Sequence, residues 1–322
     1  MLIAYEASGG RLARREVAPG EPPPEAALWL DLVCPTPEDE QLAEQALGFG
    51  IPTREDLHKI EPSSRLYVED GARFMTLSVL VGANGDTSLA PVSFILAKGR
   101  LVTVRYDTAG TFGPVVTRLQ KSCPEGIGGD VVLVDLVEAI IDRTADVLEE
   151  AGQDIERLSK RIFERDRTRR DYRAILTHVG RKEGLMSSAR EALNSLSRMI
   201  AFLGLSDEEQ ALLIRKTLRS DIKSMARDVQ GLSDYANFLA NKLQFMLDGT
   251  VGLVSLEQNN IIKIFAVLSV VFMPPTLIAS IYGMNFEHIP ELRFVAGYPV
   301  ALIAMAVSAV APYLFFKWRG WL

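Results

Sequence analysis

Cysteine is nearly absent from this chain. Cys34 and Cys123 are the only two in 322 residues, and they stand far apart, outside any CxxC spacing. That excludes a disulfide framework and a thiolate metal centre and fits a reducing, cytoplasmic setting. Histidine is equally sparse: His58, His178 and His288 are scattered, so no imidazole cluster and no catalytic constellation is available, and no enzyme activity is expected. Basic residues are in deficit. With 35 Lys and Arg against 41 Asp and Glu, the formal charge is -6 and the pI about 5.3, which excludes the basic patch of a nucleic-acid binder. No Gly-rich phosphate cradle of the Walker type occurs, so nucleotide-driven chemistry is unsupported. The first residues also lack the basic and apolar regions of an export signal; Met1 to Tyr5 reads as a short strand.

What the chain does have is an uneven distribution of apolar residues. Charged residues make up 24% of it, yet mean hydropathy is +0.12, because the apolar excess is concentrated after Ile261. The expected class is an α+β membrane protein. Its parts are a cytoplasmic α/β domain at 1–125, a cytoplasmic helical stalk at 126–260 and a two-helix transmembrane domain at 261–322 with a short external loop at 283–293.

In the first part, short β-rich runs alternate with helical stretches: Leu2 to Tyr5, Ala27 to Leu32, Phe74 to Val81, Val92 to Leu96 and Leu101 to Tyr106. Pro35-Thr36-Pro37 followed by Glu38, Asp39 and Glu40 reads as a helix start with an acidic first turn. Asp130 then caps a helix in which Val134, Val137, Ile141, Leu148, Ala151, Ile155, Leu158 and Ile162 recur at three- and four-residue steps. Such a stripe resembles a helix-bundle seam. A charged hinge at 164–171 predicts a turn into an antiparallel helix reaching about Leu203. From Asp207 the pattern stays helical through Leu212, Ile222, Val229, Leu239 and Leu247, weakened locally at Gly231, Gly249 and Gly252, and enters the apolar run.

Ile264 to Ile281 and Phe294 to Phe316 are charge-free and long enough to cross a hydrocarbon core of about 30 Å. Lys263 before the first span, with Lys317 and Arg319 after the second, places both chain ends in the cytoplasm and the loop outside. Tyr313, Trp318 and Trp321 suit an interfacial aromatic belt.

Two helices cannot enclose a water-filled path, so a pore needs several copies of the chain. On the first span and its approach, Asn259, Ile262, Ala266, Ser269, Met273, Thr276 and Ser280 repeat at alternating three- and four-residue steps. Around a symmetry axis the asparagines become rings of amide oxygens, and Ile262 and Met273 become apolar constrictions. The same hydroxyls can instead bond back to their own helix or to a neighbour. Pro274 and Pro275 bend the helix and free carbonyls beside Thr276. Glu287 and Glu291 in the loop either gather cations or are simply solvated; His288 reads as solvated.

The segment Ile281-Tyr282-Gly283-Met284-Asn285-Phe286 carries a family resemblance. It is preceded by Glu257-Gln258-Asn259-Asn260-Ile261-Ile262-Lys263-Ile264 and by Phe272-Met273-Pro274-Pro275-Thr276-Leu277-Ile278-Ala279-Ser280. Pro290-Glu291-Leu292 follows, and the chain closes on Lys317-Trp318-Arg319-Gly320-Trp321-Leu322. This resembles the CorA family of Mg2+ channels, and Trp29-Leu30-Asp31-Leu32 and the stretch from Ile60 to Leu66 extend the likeness along the chain.

The resemblance implies a funnel-shaped homopentamer in the bacterial inner membrane, with Mg2+ as transported and regulatory ion and no organic cofactor. It implies a selectivity filter at Gly283, Met284 and Asn285. Thr276, Met273, Ile262 and Asn259 then line the path inward, and Phe265 and Ala266 leave open which of them faces the lumen. Neutral amide oxygens suit Mg2+, which keeps much of its water when bound. The resemblance further implies a cytoplasmic Mg2+ sensor on carboxylates, for which Asp248, Asp228 and Asp86 are the candidates. Two other readings stand beside it: a Zn2+ transporter of the related ZntB type, against which Met284 counts, and a membrane-anchored sensor or scaffold that conducts nothing.

Overall fold

A computed structural model describes residues 1–59, 61, 64–82, 87–106, 110–163, 171–204, 215–285 and 295–320. The chain divides into two compact units, Met1–Met246 and Leu247–Leu322.

The first unit is built on a seven-stranded sheet. Its strands are β1 (Leu2–Ser8), β2 (Arg11–Glu16), β3 (Trp29–Val33), β4 (Leu66–Glu69), β5 (Ala72–Val81), β6 (Ser88–Ala97) and β7 (Arg100–Arg105). They lie in the order β2-β1-β3-β7-β6-β5-β4. Only β3 and β7 pair in parallel, with Trp29 opposite Leu101 and Val33 opposite Arg105. The central strands are covered on both faces, so β3 and β5 are buried at every position and read as apolar runs rather than alternations.

The two edge strands, β2 and β4, are absent from the expectation. Of β2 only Leu12 is buried and the rest is exposed and largely basic, so its sequence carries no apolar period to detect. Charge on an edge also discourages further pairing. The strand expected from Ala27 begins instead at Trp29.

One face of the sheet packs Leu2, Leu30, Leu32, Phe74, Ile95, Val102 and Val104 against Ala43, Leu47 and Leu57, which belong to helices α1 (Pro37–Leu47) and α2 (Arg54–Leu57). Both helices start with a capping box, Thr36 with Asp39 and Thr53 with Asp56, which satisfies first-turn donors that would otherwise be orphaned. On the other face Tyr5 stacks on Trp29 with ring centroids 4.2 Å apart, and Phe112 packs edge-on to Trp29.

Helix α3 (Gly113–Lys121) leads to two long helices, α4 (Gly129–Phe163) and α5 (Tyr172–Gly204). Every apolar position of the stripe expected on α4, from Val134 to Ile162, is buried. Asp130 does not cap α4. The helix starts one residue earlier, at Gly129, and the Asp130 carboxylate accepts the Arg215 backbone N–H at 3.1 Å instead.

That bond also bears on the next helix. Arg215 is not helical, Lys216–Leu218 forms a 3-10 turn and α6 runs unbroken from Arg219 to Tyr282 over 64 residues. The helix expected from Asp207 thus enters the apolar run from Arg219; Asp207 and Leu212 lie outside the described residues. Gly231, Gly249 and Gly252 do not interrupt it. Ile222, Met225, Val229, Ala236, Leu239, Leu243 and Met246 form its buried stripe, which holds it against the unit despite the glycines. The last element is α7 (Gly297–Trp318).

Candidate functional site

The residues expected to line a path all fall on α6. Asn259, Ile262, Ala266, Ser269, Met273, Thr276 and Ser280 lie on one continuous helix and all are exposed in the single chain. At about 100° per residue they share an arc of roughly 100°. Ala266 falls inside that arc and Phe265, also exposed, at its margin.

Within the chain the hydroxyls turn back on the helix. Ser269 donates to the Phe265 carbonyl at 2.9 Å and Thr276 to the Phe272 carbonyl at 2.7 Å. Their protons are thereby held on the helix, while each oxygen keeps acceptor lone pairs. Pro274 and Pro275 stay inside the helix; lacking N–H groups, they leave the carbonyls of Val270 and Val271 without the usual partner four residues on.

At the far end α6 closes tightly. Gly283 donates to the Ala279 carbonyl at 2.9 Å and Met284 to the Ile281 carbonyl at 3.3 Å. A Cβ on Gly283 would stand 3.1 Å from the Ala279 oxygen, tighter than ordinary contact, so glycine suits this turn. Met284 and Asn285 follow it and are exposed. Glu287, His288 and Glu291 lie outside the described residues.

α6 and α7 are both long and apolar enough to cross a membrane, and only 6% and 0% of their most apolar stretches are buried. A buried core helix of a soluble protein would have the opposite character. α7 spans about 33 Å at 1.5 Å per residue, with exposed Tyr298 near one end and Trp318 at the other.

Two of the three proposed regulatory acids, Asp228 and Asp248, fall among the described residues. Asp86 lies outside the described residues. Asp228 and Asp248 are both exposed on α6, twenty positions apart in the sequence. Asp228 has company that the sequence reading missed. Together with Asp135, Glu138 and Asp142 of α4 and Asp221 of α6 it lines a groove of about 740 Å³ between the two helices.

Burial, and to a lesser degree Asp221, pushes the Asp135 carboxyl up, although Arg118 at 2.9 Å opposes this. Burial and then the neighbouring Asp142 and Asp135 push Glu138 up as well. Among the described residues no three His, Cys, Asp or Glu side chains are grouped closely enough to cage an ion directly. A signal was present: Asp135, Glu138 and Asp142 fall at helical steps of three and four beside the apolar stripe. Only the packing of α4 on α6 brings them opposite Asp221 and Asp228.

A sheet-bearing unit, a helix that runs on from it into an exposed apolar span, and a second such span after a short interval define a two-span membrane protein with a large soluble part. The family follows from comparison with known proteins: the model of the family described as CorA-like Mg2+ transporter protein matches residues 24–318, and the chain belongs to it. The magnesium transport protein CorA of Escherichia coli (strain K12) is 34% identical over 325 residues, covering 100% of both chains. The protein of that name from Pasteurella multocida (strain Pm70) is 35% identical over 303 residues, covering 92% of each. In fold the chain is similar to the complete structure of the CorA magnesium transporter from Methanocaldococcus jannaschii, with a TM-score of 0.80 at 17% identity over 100% of this chain and 99% of that one.

Proposed function

We propose that the chain is one subunit of a homopentameric channel that carries hydrated Mg2+ into the cell across the bacterial inner membrane, with both chain ends in the cytoplasm. The observation that carries the reading is the exposed arc from Asn259 to Ser280, which leads on one helix to Gly283-Met284-Asn285. An apolar span used only as an anchor has no need of amide and hydroxyl groups along one side. Facing a common axis, these groups offer neutral oxygens that accept hydrogen bonds from the ion's own water.

In this reading Asn285 receives the incoming ion at the outer mouth. Thr276, Met273, Ala266, Ile262 and Asn259 line the way inward, and Glu287 and Glu291 raise the local cation concentration. A divalent ion gains roughly 4.6 kcal/mol per 100 mV of inside-negative potential, so uptake needs neither a nucleotide nor an organic cofactor. The parts at 1–125 and 126–260 form the cytoplasmic α/β domain and helical stalk, and 261–322 the pore. Asp248, Asp228 and Asp86 bind regulatory Mg2+ across subunit contacts, closing the channel when cytoplasmic Mg2+ is high.

The test is ion flux into liposomes holding the purified chain. Mg2+ entry is expected, with Asn285→Ala abolishing it; undiminished entry through that variant overturns the filter. Zn2+ flux exceeding Mg2+ flux in the same vesicles would favour the ZntB-type reading. No flux of any divalent ion would favour a sensor or scaffold. Co2+ and Ni2+, whose hydrated ions are of similar size, belong in the panel.

A further inference from the structure

The start of α4 is fixed to the sheet. Gly129 donates to the Gly99 carbonyl at 2.8 Å, and a Cβ on Gly129 would lie within 2.5 Å of the Arg100 carbonyl carbon, so this helix end rests against the β6–β7 turn. The next residue, Asp130, has its side chain 6% exposed and meets Arg215 twice: Oδ2 accepts from the Arg215 backbone N–H at 3.1 Å and pairs with Nε at 3.3 Å. The guanidinium lies over Gly128, where a Cβ would stand 2.6 Å from Nη2. Leu218, 8% exposed, then donates to the Arg215 carbonyl at 3.0 Å, and α6 begins one residue later.

Beyond this contact the facing sides of α4 and α6 carry Asp135, Glu138 and Asp142 against Asp221 and Asp228. Like charges there drive the two helix starts apart. Asp130 and Arg215 join them with an opposite-charge pair that also grips the main chain, and a bond to the backbone fixes the path of the chain as a pair between two flexible tips cannot.

We infer that the Asp130–Arg215 pair is the joint through which the sheet-bearing unit holds and moves the start of the pore helix, with both acting as positioning residues for gating. This rests on the channel reading above. A shift of α4 against α6 then reaches α6 through a fixed end rather than a sliding one. A ligand alters a distant equilibrium only through an element that both sites bias, and the joint supplies that element on the cytoplasmic side.

The test uses the full chain in liposomes, with Mg2+ flux measured while Mg2+ on the cytoplasmic face is varied. Asp130→Asn and Arg215→Met are each expected to raise the half-inhibitory Mg2+ concentration about threefold or more. The double variant should add little to either, because each removes the same opposite-charge pairing. Arg215→Lys, which keeps the cation and the backbone bond, should stay close to the parent. Inhibition unchanged in both single variants, or strictly additive shifts, overturns the joint.

Amide exchange in detergent gives a second readout that does not depend on flux. Asp130→Asn should speed exchange at Arg215 and through the first turn of α6 while β7 keeps its protection; an Arg215 amide as protected as in the parent also overturns the inference. If the parent itself passes no Mg2+, the channel reading fails, while the exchange result still decides whether Asp130 holds the start of α6.

Discussion

Asp31 and Arg105 pair across the single parallel step of the sheet, with Arg105 Nη2 2.8 Å from Asp31 Oδ2 and Nε 3.1 Å from Oδ1. Asp31 is 1% exposed, and its Oδ1 also accepts the Thr103 hydroxyl at 2.7 Å, which in turn accepts Trp29 Nε1–H at 2.9 Å. A buried carboxylate in a central strand is tolerated because its hydrogen bonds are supplied from β7, one strand away.

The first prediction follows from that chain of bonds. Asp31→Ala removes the buried carboxylate that pairs with the Arg105 guanidinium, itself held over the Phe112 ring, and should cost about 3–5 kcal/mol. Thr103→Val strands the Trp29 N–H and should cost about 1–3 kcal/mol, and the two losses together should fall short of their sum. Guanidinium-induced unfolding of the solubilised chain measures all three. A loss below about 1 kcal/mol for Asp31→Ala would show that the pair contributes no net stability.

A second prediction contrasts two glycines of α4. At Gly129 the atoms that a Cβ meets are backbone, the Leu101 nitrogen and the Arg100 carbonyl carbon, which cannot swing away. Gly129→Ala should therefore cost about 3 kcal/mol, with no side-chain change able to restore it. At Gly152 the obstacle is the Tyr235 hydroxyl, the far end of a side chain. Gly152→Ala should be close to neutral, since helix propensity offsets the crowding, and combining it with Tyr235→Phe should stabilise by up to about 1 kcal/mol. Paired melting curves of these variants check the difference in sign.

The third concerns pH. Glu138 titrates above its ordinary value of 4.5 because burial, Asp142 and Asp135 all disfavour its charge. With the folded value above the unfolded one, the protonated acid favours the fold. That contribution is complete below the unfolded value and is lost as pH rises through the folded one. At neutral pH Glu138→Gln should thus raise the melting temperature by a degree or two, roughly what about 0.5 kcal/mol gives in a domain of this size. The gain should shrink in high salt, because the groove withdraws Glu138 only partly from solvent and its repulsion is screened. It should vanish below about pH 4, where parent and variant are both neutral. A variant that melts below the parent at neutral pH would mean that the groove acids do not repel as argued.

Much of this protein could be read from local sequence because the physics involved is local. The α4 stripe from Val134 to Ile162 repeats with the helix itself, so burying one face of the helix buries all of it. The spans are set by length and the absence of charge, and the turn at Gly283 by the close approach to Ala279. The family resemblance is carried by short runs of side chains around Asn285 that need no fold to be seen.

Other features depended on contacts between distant segments. β2 and β4 gain their strand conformation from neighbours rather than from any period of their own. Asp130, a plausible cap by sequence, is drawn instead to Arg215, 85 positions away, because the packed helices bring that amide within reach. Asp135, Glu138 and Asp142 become one acidic groove only when α6 lays Asp221 and Asp228 opposite them. Periodicity determined which faces exist; which faces meet was decided by the tertiary structure, since a hydrogen bond or a charge repulsion depends on distance in space and not along the chain.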